Sequence, residues 1–132
     1  MTRQFIISSL VLLFTSSLLA QNTITERLVG KWEGTDTNNQ TGGMEFIDSV
    51  HIRLTPPDSN LPEGTYLIDT TKKPMWLDIT ITGGGQQLTL LCLIEFIDKN
   101  TLKWQPFYDR KRHIQFIKET SENTLRLKRV NP

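Results

Sequence analysis

The stretch that decides the fold runs from Gly64 to Thr82 and reads GTYLIDTTKKPMWLDITIT. It is predicted to form two strands, Thr65–Asp69 and Met75–Thr82, joined by a turn at Thr70–Lys73. Pro74 precedes the second strand, where a missing N–H is tolerated. From Met75 onward every second residue is Met, Leu or Ile, and this period of two is typical of a half-buried strand. The stretch therefore predicts a sheet with one face on an apolar core.

Similar strands, separated by short polar or glycine-rich turns, are predicted along the rest of the chain. A short repeat supports this pattern, because Glu95–Trp104 and the region Gln115–Leu127 each read as strand, polar turn, then Asn-Thr-Leu-basic-apolar. Such segments are typical of successive hairpins in a meander. Eight strands with short turns predict an all-β, antiparallel up-and-down barrel, and an open sandwich of two sheets is the alternative. The predicted strands are Gly30–Gly34, Met44–Thr55, Thr65–Asp69, Met75–Thr82, Leu88–Ile97, Thr101–Phe107, Arg112–Lys118 and Thr124–Val130.

The N-terminus has the features of an export signal. Residues 1–20 contain Arg3, an apolar run and small residues before Gln21, which predicts a signal peptide cleaved after Ala20 and a secreted or periplasmic protein. The apolar run is too short to span a bilayer, so we expect no transmembrane segment in the mature chain. Residues 21–132 are then a single domain, which we expect to be a monomer. Cys92 is the only cysteine and lies in an apolar run, so it is predicted to be a buried, unreactive core residue.

Gly30-x-Trp32, placed after a short helical turn and before the meander, resembles the lipocalin-like (calycin) barrels. The stretch from Asp69 to Asp78, Asp-x-x-Lys-Lys-Pro-x-x-Leu-Asp, is similar to a small group of exported bacterial proteins usually classed as lipocalin-like. The resemblance implies that an Arg of the last strand lies over the ring of Trp32. Because the last strand pairs antiparallel with the first, we expect this residue to be Arg129 and not Arg126.

Charge is divided unevenly along the chain. Residues 21–98 contain 5 Lys and Arg against 11 Asp and Glu, whereas residues 99–132 contain 9 against 3. One interpretation is a basic face for anionic ligands. The favoured one is a solvated surface on which acidic and basic strands meet where the sheet closes, since exposed charge pairs are common and weak.

Residues with catalytic potential have simpler structural explanations. Asp69 and Asp78 flank one hairpin, but Asp69 can accept N–H groups of the adjoining turn and Asp78 can pair with a Lys or Arg nearby. His51 is predicted to be a solvated strand residue, and neither it nor His113 is expected to bind a metal. The sequence contains no nucleophile elbow, P-loop or zinc-helix motif. We therefore expect a protein that is not an enzyme and has no metal and no cofactor.

A cluster of aromatic and Arg residues near one loop is the candidate ligand site. Aromatic and Arg side chains together bind sugars, lipids or peptides, and export disfavours nucleic acid as the partner. The alternative is that Trp104 and Phe107 belong to the core and the arginines are solvated. The candidate ligand-binding residues are Tyr66, Trp104, Phe107, Tyr108 and Arg112.

Two functions follow from these observations. The first is a small exported binding protein for an apolar or amphiphilic small ligand. The second is an interaction module that docks on another envelope protein and has a filled barrel. The volume of the interior separates them. In a filled barrel the centre is occupied by Met44, Phe46, Leu77, Ile79, Leu88, Leu90 and Leu127.

Overall fold

The computed structural model describes residues 23–35, 39–117 and 124–131. The predicted signal peptide, residues 1–20, lies outside the described residues. Within the described residues, a short helix, α1 (residues 23–28), precedes eight strands. The strands are β1 (Gly30–Thr35), β2 (Thr41–Phe46), β3 (His51–Thr55), β4 (Gly64–Asp69), β5 (Met75–Gly83), β6 (Gln86–Asp98), β7 (Thr101–Phe107) and β8 (Leu125–Arg129).

The eight strands close into one barrel. Each strand pairs antiparallel with the next in sequence, and β8 pairs with β1. The closing register places Trp32 opposite Arg129 and Glu33 opposite Lys128, so acidic and basic residues meet at the seam. Closure removes the exposed edges that would otherwise pair with other chains. The predicted eight-stranded up-and-down barrel is confirmed.

The hairpin of β4 and β5 matches the opening stretch of the sequence. Its register runs from Thr65 opposite Thr80 to Asp69 opposite Trp76. Asp69 Oδ1 accepts a hydrogen bond from the Thr71 hydroxyl at 2.6 Å and from the Thr71 N–H at 2.9 Å. These two hydrogen bonds lower the pKa of Asp69. The predicted task of Asp69, to satisfy the turn backbone, is confirmed.

The prediction of a single strand over Met44–Thr55 is wrong. This region forms parts of two strands, β2 and β3, and β2 already begins at Thr41, inside the predicted loop. The turn between them is organised by Asp48, whose Oδ1 accepts the N–H groups of Val50 at 2.8 Å and His51 at 2.7 Å. A side chain that satisfies two backbone donors thus reverses the chain at Asp48, the position that interrupts the apolar alternation from Met44 to Leu54.

The prediction of a strand over Arg112–Lys118 is also wrong. Residues 111–117 form no strand, and Lys118 lies outside the described residues. Residues 109–117, which we call the outer strap, instead lie against the outside of the barrel, while β8 pairs directly with β7. The strap is bound through side chains: the N–H of Ile117 donates to Gln105 Oε1 at 2.9 Å. The second half of the sequence repeat is therefore not a hairpin.

The outer strap gives the middle of the sheet a second buried face. Gln105 and Phe107 point outward on β7, as does Leu93 opposite Gln105 on β6, yet all three are buried. The ring of Phe107 stacks on the ring of His113, with centroids 3.9 Å apart. The centre of β6 is thus buried on both faces.

One end of the barrel is closed around Trp32. This side chain is fully buried, and its Nε1 donates to the carbonyl of Leu28, the last residue of α1, at 2.8 Å. The guanidinium of Arg129 lies 4.2 Å from the Trp32 ring centroid, and it donates to the carbonyls of Val29, at 3.0 Å, and Arg27. The predicted position of Arg129 over Trp32 is confirmed. We call this the closed end.

The lower interior of the barrel is filled with side chains. Of the residues predicted to fill it, all but one are buried. The prediction is wrong for Leu88, whose side chain is 49% exposed. β6 begins at Gln86, so Leu88 lies in the first residues of the strand, at the end opposite Trp32. We call that end the mouth.

Candidate ligand cavity at the mouth of the barrel

An apolar cavity of about 290 Å³ occupies the mouth. It is formed by inward-facing residues at the mouth ends of the strands and by the loop between β3 and β4. Below it, Trp32, Met44 and Phe46 fill the barrel toward the closed end. The lining residues are Gly34, Gln40, Gly42, Gly43, Leu54, Pro56, Pro57, Leu61, Ile81, Leu88, Leu90, Trp104, Pro106, Tyr108 and Leu125.

One part of the cavity wall is formed by two glycines. Gly34 on β1 is paired with Gly42 on β2, and both occupy inward positions, two residues along from the pair Trp32 and Met44. A Cβ at Gly34 would lie 2.5 Å from the carbonyl oxygen of Arg126, and one at Gly42 would lie 3.1 Å from Pro57 Cδ. The wall is therefore closely packed at both positions, and a side chain there would displace its neighbours.

The lining is uncharged. It contains leucines, an isoleucine, glycines and three prolines, and prolines offer no backbone N–H to a ligand. Its polar side chains are those of Gln40, Trp104 and Tyr108. A concave surface of this kind, largely apolar with a few polar groups, is typical of a small-molecule site.

Trp104 lines this cavity, but its polar atom is buried beside Cys92. The Trp104 side chain is 8% exposed, and its Nε1 has no oxygen or nitrogen partner among the described residues. Burial raises the pKa of Cys92 to about 12, and a hydrogen bond from the Trp104 indole opposes that shift. Since a thiol is a poor acceptor, this contact satisfies the indole N–H only weakly. The predicted burial of Cys92 is confirmed.

The rim of the cavity exposes apolar surface. Leu61 and Leu88 are both partly exposed, and Tyr108 is 67% exposed where β7 passes into the outer strap. Because these side chains face both the cavity and solvent, a ligand can enter without displacing the barrel core.

The five candidate ligand-binding residues separate into three places. Trp104 and Tyr108 both line the cavity. Tyr66 lies inside the barrel toward the turn between β2 and β3, where its hydroxyl donates to the carbonyl of Asp48 at 2.8 Å and its ring meets Phe46 edge-on. Burial raises the pKa of Tyr66 to about 12. The structure thus brings two of the five together and assigns Tyr66 a core contact.

Phe107 and Arg112 lie on the outside of the barrel. Phe107 stacks on the strap, and Arg112, within the strap, forms an ion pair with Asp78 of β5. The Arg112 guanidinium also lies 4.5 Å from the ring centroid of Trp76. The predicted pairing of Asp78 with a nearby basic residue is confirmed, and these contacts attach the strap to β5.

The remaining motif residues have local structural contacts. Gly30 has a φ of 130°, and a Cβ there would lie 3.1 Å from Arg129 Nη1, so glycine leaves room for the Arg129 side chain at the closed end. Pro74 stands immediately before β5.

Both histidines are paired with carboxylates close in sequence. His51 is exposed, as predicted, and its Nδ1 lies 2.9 Å from Asp48 Oδ2. His113 Nε2 lies 2.8 Å from Asp109 Oδ2. Within residues 23–35, 39–117 and 124–131, no three His, Cys, Asp or Glu side chains are grouped as metal ligands would be.

The comparisons with known proteins leave the class to be defined by the fold. No protein-family model matches the chain, and no curated protein or solved structure is similar to it. The structure is a closed, eight-stranded antiparallel barrel, compatible with a calycin-like fold. In the part of the chain that the structure describes, no helix has the length and apolar character needed to cross a bilayer.

Proposed function

We propose that the protein is an exported, lipocalin-like (calycin) binding protein that holds a small apolar or amphiphilic ligand in the mouth cavity and does not catalyse a reaction. The observation that supports this most is the cavity itself. It has an uncharged, apolar wall, a volume of about 290 Å³ and an apolar rim open to solvent.

The size of the cavity limits the ligand. Small-molecule sites usually have volumes of about 300–1,000 Å³, so this cavity is at the lower end of that range. If a water-sized group occupies about 30 Å³, the cavity holds about ten such groups. The ligand is therefore a compact small molecule or the terminal part of a longer chain.

Export is proposed from residues 1–20, which lie outside the described residues. A charged start, an apolar run and small residues before Gln21 are typical of a cleaved signal peptide. A secreted or periplasmic protein with a single cysteine depends on its core for stability, because it has no internal disulfide.

The test uses the neutral dye Nile red, whose fluorescence rises in an apolar site, with the protein carrying residues 21–132. Leu88→Trp should block the mouth and weaken dye binding at least about tenfold, because Leu88 lines the cavity. Leu67→Trp is the matched control, since Leu67 is 76% exposed and does not line the cavity.

Organic extracts of the purified protein, examined by mass spectrometry, give an independent readout. A bound small molecule present in wild type and lost in Leu88→Trp supports the proposal. If wild-type protein binds no dye and yields no extractable molecule, the binding function is wrong. The interaction module would then be the function to test.

A further inference from the structure

We infer that the mouth cavity selects an uncharged ligand, such as an alcohol, ester or ketone on a short hydrocarbon skeleton, and discriminates against the carboxylate of the same skeleton. This inference rests on the proposed function. It concerns the chemistry of the ligand's polar end, which the volume and the apolar lining do not decide by themselves.

The first step is that no charged side chain faces the cavity. None of the described residues that line it is Lys, Arg, His, Asp or Glu. Arg53 follows the inward-facing position of Ile52 on β3 and points outward, where its Nη1 lies 3.1 Å from Glu45 Oε1 and its Nη2 lies 3.7 Å from Glu63 Oε2.

A basic residue of β8 also points away from the cavity. Arg126 is exposed between Leu125, which lines the cavity, and Leu127, which is fully buried, so its side chain points outward. A carboxylate enclosed in this cavity would have no cation to pair with. Burial of an unpaired charge is far more costly than burial of a neutral polar group.

The second step is that the lining offers few hydrogen-bond donors to a carboxylate. Pro56, Pro57 and Pro106 have no backbone N–H to donate. Trp104 lines the cavity, but its indole N–H is buried beside Cys92. A carboxylate that leaves water for this lining therefore has little to replace its hydration.

The third step is that the ligand's polar end is drawn at least to the apolar rim. A ligand of about the cavity's volume is held within it up to that rim, so its polar group is partly removed from water in either orientation. 1-Octanol and octanoate meet this condition, because each has about as many non-hydrogen atoms as the cavity holds water-sized groups. They share one hydrocarbon chain and differ in charge.

The experiment is competition of 1-octanol and of octanoate with bound Nile red at pH 8, on wild-type protein. We expect 1-octanol to displace the dye at a concentration at least about tenfold lower than octanoate does. Equal potencies, or a stronger effect of octanoate, would overturn the inference and leave the binding function in place. A protein that binds no Nile red would refute the binding function first.

Two variants make the outcome specific to the mouth. Leu88→Arg places a cation in the lining and should improve competition by octanoate at least about tenfold relative to octanol. Leu67→Arg adds the same charge outside the barrel and should leave the ratio as in wild type. If both variants change the ratio equally, the effect is one of net charge, and selection by the cavity wall is wrong.

Discussion

Removal of the Arg129 guanidinium should destabilise the closed end without changing the mouth. In Arg129→Met the aliphatic stem is kept, while the contact with the Trp32 ring at 4.2 Å and the hydrogen bonds to Val29 and Arg27 are lost. A cation over an indole contributes about 0.5–2 kcal/mol. Hydrogen bonds from a charged donor contribute about 1.5–3 kcal/mol. Because Arg129 is only partly buried, solvent screening favours the lower part of the sum, about 2–3 kcal/mol.

Urea unfolding followed by tryptophan fluorescence measures this change. With an m value of about 1.5 kcal/mol/M, the unfolding midpoint should fall by about 1.3–2 M. Lys128→Met is the matched control, because Lys128 is the exposed neighbour on the same strand, and its midpoint should shift by less than about 0.5 M. A midpoint for Arg129→Met within about 0.3 M of wild type would mean that the guanidinium does not stabilise the closed end. Nile red binding should be the same in all three proteins.

Three further predictions concern other parts of the barrel. Gly43→Ala should destabilise the fold by several kcal/mol, seen as a large fall in the thermal midpoint, because a Cβ there would overlap the carbonyl oxygen of Trp32. Cys92 should react with a thiol reagent in native protein at least about a hundredfold more slowly than in urea, because the thiol is buried and its pKa is raised to about 12. Rapid labelling of the native protein would contradict the place of Cys92 in the core. The N–H groups of His51 and Val50 lower the pKa of Asp48 from 3.8 to about 2, so the free energy of unfolding should fall as the pH is lowered across that window. Asp48→Asn should weaken this pH dependence in acid denaturation, and an unchanged slope would show that other carboxylates cause it.

The sequence predicted the fold where alternation and turn residues agree. β4 and β5 are clear because each residue between Gly64 and Thr82 fits a strand or the turn that Asp69 satisfies. The split of Met44–Thr55 is hidden for a geometric reason. Five residues separate Phe46 from Ile52, its partner across the turn, so the two have the same parity and face each other. A pattern of period two stays in phase across such a turn.

The outer strap shows the opposite error. Residues 112–117 alternate much as a strand does, but β8 takes the place beside β7. The backbone of Ile117 then bonds to the side chain of Gln105 instead of a neighbouring strand. Local pattern does not decide which segment occupies a position in a sheet, since that depends on competing long-range pairings.

The candidate site was less accessible to sequence reasoning than the fold. Trp104 and Tyr108 were identified because aromatic residues are visible in a sequence, but the two glycines of the cavity wall carry no such sign. Gly34 and Gly42 line the cavity because the register pairs them at inward positions. Gly34 lies two residues from Trp32, and Gly42 lies two residues from Met44, so each glycine is on the same face of its strand as that inward-facing residue. This spacing was the sequence signal that would have placed both glycines inside the barrel.

The cover over β6 has a consequence for synthesis of the chain. β6 is the most apolar strand, and Leu93, which points away from the barrel, is fully buried opposite Gln105, the residue that binds the outer strap later in the chain. A nascent chain that ends before residue 109 would therefore present this side of the sheet bare to its surroundings. Apolar strands in that condition are the ones that associate with other chains or with holding chaperones. β6 is therefore covered late in translation. The chain is most exposed to unwanted association after β7 has been synthesised and before the outer strap has been added.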